Sequence, residues 1–152
     1  EDTLSLHDAL PICNALIGCG LKEEVKLAAS GKVHSGAGLA MNCALGADWS
    51  NAARAFMFTL GCVQSLKCHT DKCPTGVATQ DPGRQRGLVV EDKAERVANY
   101  CLNMNQEIDM IAHSCGLRHA REFRREHTRI VQPNGQSIAL NMLYPYPPVR
   151  TR

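Results

Sequence analysis

The chain has 152 residues, 17 Lys and Arg against 15 Asp and Glu, a net charge of +2, and a composition 44% hydrophobic and 21% charged. These proportions suit one ordinary globular domain with a modest core, and they create no demand for an acidic or nucleic-acid partner. No apolar run reaches the roughly 18 residues of a membrane span and no charged-then-apolar leader stands at the front, so a cytoplasmic protein with eight reduced cysteines is expected.

The first segment stands apart. Residues 3–12, "TLSLHDALPI", resemble the in-frame translation of a common short-read sequencing adapter, so residues 1–12 are expected to be an artefact and the authentic sequence to begin near Cys13. The chain would then be the C-terminal part of something longer. A genuine helix start is the alternative, interrupted only by Pro11.

From Cys13 the pattern is that of an α/β protein. "CNALIGCGL" has helical apolar spacing and a stop at Gly20. "VKLAASGKV" is a short apolar run into a glycine turn, which predicts a buried strand and its loop. "SGAGLAMNCALG" predicts a small-residue helix closing at Gly46, and "ADWSNAARAF" a second strand running into a loop or helix start. Strand, helix, strand with short connections implies parallel strands. Pattern alone does not separate an open sheet from a barrel.

Two loops of this unit can hold an anion. "SGKVHSG" puts Ser30, Gly31, Lys32, Ser35 and Gly36 after the first strand, and "SNAAR" puts Asn51, Ala53 and Arg54 after the second. Small residues let backbone N–H groups approach phosphate oxygens, a helix N-terminus adds partial positive charge, and Lys32 or Arg54 completes the balance. Plain βα turns are the other reading. A P-loop is excluded, because Lys26 stands where that motif requires its first glycine.

Next come Cys62, Cys68 and Cys73, three thiols within twelve residues on a segment that also holds His69, Thr70, Pro74 and Gly76. Three readings stand. An iron–sulfur cluster needs thiolates from several directions, which a wrapped loop supplies. Zinc could take the three cysteines with His69, although adjacent Cys68 and His69 are awkward ligands for one ion and close C-x2-C pairs are absent. The third is unligated structural cysteines. The remaining Cys13, Cys19, Cys43, Cys101 and Cys115 fall at helical apolar positions and are expected to be buried small hydrophobes.

Beyond this loop, "DPGRQRGL" is a polar turn. Residues 92–115 predict an amphipathic helix with Val97, Cys101, Met104, Ile108, Ile111 and Cys115 on one stripe and Gly116 as its stop. "RHAREFRREHTR" is basic with only Phe123 among its charges, so it is expected to be a solvated helix face and not a nucleic-acid surface. "LYPYPPVRTR" is expected to be extended.

The run "ASGKVHSGAGLAMNCALGADWSNAARAFMFTLGCVQSLKCHTDKCPTGVATQDP" resembles the end of the flavin domain of the FMN-binding glutamate synthase family, and the likeness covers roughly residues 13 to 115. The "GC-x5-CH-x3-CPTGVATQ" element is specific. The resemblance implies the C-terminal fragment of a TIM-type (β/α)8 barrel: the last βα units over 13–61, an iron–sulfur loop over 62–82, and a helical C-terminal extension and tail over 83–152. It implies FMN phosphate on the two anion loops, which suits the phosphate site after the last strands of such barrels. It also implies a 3Fe-4S cluster on Cys62, Cys68 and Cys73, where three thiols suffice because the fourth iron is missing. The substrate would be 2-oxoglutarate or its imine, and electrons would come from an outside protein or subunit. His69 and Lys72 beside the thiolates either offer charge to cluster sulfur or are solvated loop residues. One departure stands out: the family is more glycine-rich where this chain has Asn51, Ala52, Ala53 and Arg54. That puts the glutamate synthase reaction in doubt, and a zinc-stabilised binding module without redox chemistry is the rival.

Overall fold

The computed structural model of the chain describes residues 4–149. Helix α1, Leu4–Gly18, carries Pro11 within it and so runs through residues 4–12 of the adapter-like segment; residues 1–3 lie outside the described residues. Ala9, Leu10 and Cys13 of α1 are buried.

Strand β1, Ala28–Ser30, helix α2, Gly36–Ala44, and strand β2, Trp49–Asn51, form the expected strand–helix–strand unit. The strands pair in parallel, with Ala28 opposite Trp49 and Ser30 opposite Asn51. Asp48 sets this register: its Oδ2 accepts the Leu27 N–H at 2.7 Å and Lys22 Nζ at 2.9 Å, so the residue before β2 is tied to the residue before β1. Helix α3, Ala53–Thr59, leaves β2 at once, and the short helix α4, Pro82–Gln85, follows the cysteine loop with Asp81 as its cap. The stretch expected to be only a polar turn therefore contains a helical turn, because the Asp81 carboxylate accepts the Gly83 N–H at 2.8 Å and Pro82 is pre-set for the first helical position.

Helix α5, Val90–Ser114, is the longest element. Its buried positions Met104, Ile108 and Ala112 recur at four-residue spacing; Ile108 and Ala112 pack in one cluster with Ala40 and Ala44 of α2, and Ala120 and Phe123 close it. It ends in a paired cap, Gly116 N–H to His113 and Leu117 N–H to Ala112, which a glycine at φ +77° makes accessible. The expectation of buried cysteines needs a correction: Cys101 and Cys115 on the stripe are exposed, as is Cys19, and Cys43 is half-buried. The buried line drifts off them onto Ala112, a residue too small to stand out in the sequence pattern.

The basic segment also departs from expectation. Instead of a solvated helix it forms two short 3-10 turns, Ala120–Glu122 and Arg125–His127, with Ala120, Phe123 and Arg125 buried. An antiparallel hairpin follows, β3 Arg129–Val131 with β4 Ser137–Ala139, then helix α6, Leu140–Leu143. The Asn134–Gly135 pair at its turn carries the hairpin signal. Leu140 is fully buried with Leu10 and Leu45, so the C-terminal part folds back onto α1 and α2. The architecture is mixed α/β, and among the described residues two parallel strands leave the barrel unclosed.

Candidate functional site

The parallel register decides the first site. Because Ser30 pairs with Asn51, both strands end at the same level and the two anion loops leave side by side. In the first loop Gly31 and Lys32 take left-handed backbone, φ +115° and +51°, and Ser35 caps α2 by accepting the Gly38 N–H at 3.4 Å. In the second, Ala53 and Arg54 open α3 with exposed side chains. The loops are thus adjacent, glycine- and alanine-lined, and bounded by Lys32 and Arg54.

One feature there was invisible in the sequence. Gly36 N–H donates at 2.5 Å to the carboxylate of Glu107, 71 residues away on α5. Gly36 is buried so closely against α5 that a Cβ would collide with the Glu107 and Ile108 backbone. Gly36 therefore serves helix packing, and its amide is already taken by an anion. That leaves Gly31 and the start of α3 as the backbone positions the two loops offer to an anion. Tyr100 holds the same loop by donating from its hydroxyl to the His34 carbonyl at 3.1 Å. Burial, with Glu107 nearby, pushes that phenol above its ordinary range.

The thiol loop is wrapped, as expected, and hydrogen bonds hold it. Asp71 Oδ1 accepts the Gln80 N–H at 2.5 Å, the Asp71 carbonyl accepts the Thr79 hydroxyl at 2.7 Å, and Arg84 reaches back to the Lys72 carbonyl at 3.2 Å. Gln64, Leu66 and Asp71 all sit in the left-handed region, an uncommon density of strained non-glycine residues. Gly76, at φ +79°, lets the chain press against the Arg84 carbonyl.

Within this loop the cysteines differ. Cys73 is buried at 5% exposure, Cys62 is half-buried and Cys68 is exposed on the wall of an open cleft of about 770 Å³ shared with His69 and Asp71. The Thr75 hydroxyl lies 3.4 Å from Cys73 Sγ. That hydroxyl, with the Ala78, Thr75 and Val77 amides, pulls the thiol down from 9.0 to about 7. "CPTGVA" is thus a nest of donors around one sulfur. Among the described residues no three Cys, His, Asp or Glu side chains converge as a metal-holding group. The three thiols are free and share one loop, and Cys73 suits a ligand role, but they are not gathered around one point. Three thiols on one loop are the donor chemistry an iron–sulfur cluster takes.

The class of protein follows from this frame: a mixed α/β chain whose parallel strands end in small-residue loops and feed directly into a cysteine loop. The family model described as a conserved region in glutamate synthase matches residues 6–118, and the chain belongs to that family. Over 141 residues it is 39% identical to the glutamate synthase large subunit-like protein YerD of Bacillus subtilis, a match covering 92% of this chain and 27% of that protein. It is 31% identical over 125 residues to the glutamate synthase [NADPH] large chain of Bacillus subtilis, covering 74% of this chain and 8% of that one. The archaeal glutamate synthase [NADPH] of Methanocaldococcus jannaschii is 33% identical over 111 residues, covering 73% of this chain and 22% of its own length. The chain thus spans about a quarter or less of these curated relatives. Among the described residues no helix is long and apolar enough to cross a membrane.

Proposed function

We propose that the chain is the C-terminal part of a TIM-type barrel in an FMN- and 3Fe-4S-dependent oxidoreductase of the glutamate synthase kind, acting in the cytoplasm on 2-oxoglutarate by way of 2-iminoglutarate. The observation that carries this reading is the parallel Ser30–Asn51 register, which lines up two phosphate-sized loops at the strand ends. When bound, the flavin would supply hydride transfer and the cluster one-electron transfer from an outside donor protein or subunit.

The chain's own residues have narrower tasks. Gly31, Asn51 and Ala53 would present backbone amides to a phosphate, with Ser30, Ser35, Lys32 and Arg54 at the margin. Cys62, Cys68 and Cys73 would hold the cluster once the loop closes, with Cys73, its thiol lowered to about 7 by the Thr75 hydroxyl, as the readiest thiolate. Metal binding and loop ordering are commonly one event, and a loop built on turn hydrogen bonds and a strained backbone suits that role. The adapter origin of residues 1–12 is a separate proposal, opposed by the burial of Ala9 and Leu10 and by a family match that starts at residue 6, and resequencing the source DNA upstream of Cys13 tests it.

Anaerobic reconstitution with iron and sulfide is the decisive experiment. A brown protein with an oxidised three-iron paramagnetic signal, lost in Cys68→Ser and kept in Cys101→Ser, supports the reading. A colourless chain holding one zinc points instead to the binding-module alternative.

A further inference from the structure

A second cavity lies at the opposite end of the strands from the phosphate loops, between the end of α1, the lead-ins to β1 and β2, and the arginine-rich turns. Its volume is about 490 Å³. That suits a small organic molecule. Among its lining residues Lys22 and Lys26 are matched by Asp48, at 2.9 Å and 3.7 Å. The remaining charges are Arg121, Arg124 and Arg125 against Glu23 alone.

Arg125 is the decisive residue. Its side chain is fully buried. Its Nη1 donates to the Tyr144 and Pro145 carbonyls at 2.9 Å and 3.1 Å, and its Nη2 to Asn14 Oδ1 at 2.5 Å. The Tyr146 ring lies 4.3 Å from the guanidinium carbon. Every one of these partners is neutral, and Nε finds no acceptor among the described residues. A buried cation without a counter-charge is costly, and buried charges are ordinarily paired. Arg124 gives its Nη1 to the Arg121 and Phe123 carbonyls, which holds a second guanidinium on the same wall without neutralising either.

We propose that this cavity binds a small organic anion, a carboxylate or a phosphate monoester, as the counter-charge that no described acidic side chain gives the arginine cluster. The exposed Arg121 and Arg124 would contact it directly, and buried Arg125 would set the positive potential behind them. This site is independent of the flavin reading, since it uses none of the same residues.

The test is nitrogen-15 NMR of the arginine Nε–H groups in the 152-residue chain during separate titrations with inorganic phosphate and with succinate. The Arg125 resonance should shift and saturate with at least one of the two, and which one does assigns the ligand class. The double variant Arg121→Gln/Arg124→Gln, at exposed positions, should keep the fold by circular dichroism and weaken binding about tenfold or more. Arg54→Gln, on the phosphate loop, should leave that affinity unchanged. An Arg125 signal that neither anion moves, or binding that survives the double variant but falls in Arg54→Gln, would overturn the proposal.

Discussion

Cys73 and Thr75 show how one residue sets another's chemistry. The thiol is held at about 7 mainly by the Thr75 hydroxyl, with the amides of residues 75, 77 and 78 adding to it. Because the folded value lies below the unfolded one, the ionised form favours the folded state; that contribution is complete above about pH 9 and disappears as pH falls through about 7. In an ultraviolet thiolate titration, one thiolate should appear with a midpoint near 7, and Thr75→Val should move it upward. A wild-type titration with no thiolate below the ordinary thiol range would contradict the donor nest. The residues the sequence offered for this loop were the cysteines. Thr75, Asp71 and Arg84, which shape it, lie in or beside the same motif but carry no signal beyond ordinary turn chemistry.

At the scale of elements, the contact between α2 and α5 is the central joint. Gly36 has no room for a methyl group against Glu107 and Ile108, so Gly36→Ala should force the helices apart, cost about 2 kcal/mol or more and lower the melting temperature by about 5 °C or more. An unchanged melting temperature would show that the helices can slide. Glu107→Gln keeps the shape while weakening the charge on the Gly36 amide; phosphate affinity at the loops should rise, measured by calorimetry, if the carboxylate competes there. A second joint is Asp48, whose carboxyl is held below its ordinary range. Burial alone would raise it, but the Leu27 amide and the Lys22 and Lys26 ammonium groups outweigh that. Its contribution is therefore present above about pH 4 and is lost as pH falls through the lower folded value. Asp48→Asn should cost about 1 kcal/mol at neutral pH and flatten the acid limb of a urea-melt series.

For the whole molecule, two parallel strands cannot enclose a flavin ring. The isolated chain should therefore bind FMN weakly, and tight stoichiometric flavin in the purified protein would contradict the proposed division between this chain and missing barrel strands. The C-terminal part does more than trail behind. Phe123 and Leu140 are buried in the two core clusters, so Phe123→Ala should cost about 3–5 kcal/mol in chemical denaturation, as a core residue and not as part of a solvated basic helix.

What the sequence determined by itself was everything local or periodic: the strand–helix–strand unit, the long amphipathic helix and its glycine stop, the loop-bound cysteines, and through a specific motif the family. These follow from short-range backbone preference and apolar spacing, which neighbouring residues encode. Tertiary structure decided what depends on residues far apart in the chain. It set Glu107 on the Gly36 amide, turned Cys101 and Cys115 outward, drew Arg125 into the interior against Asn14, and left the three thiols ungathered. Charge and polarity in a sequence say what a side chain prefers in water. Whether it stays there depends on which distant surface arrives to cover it.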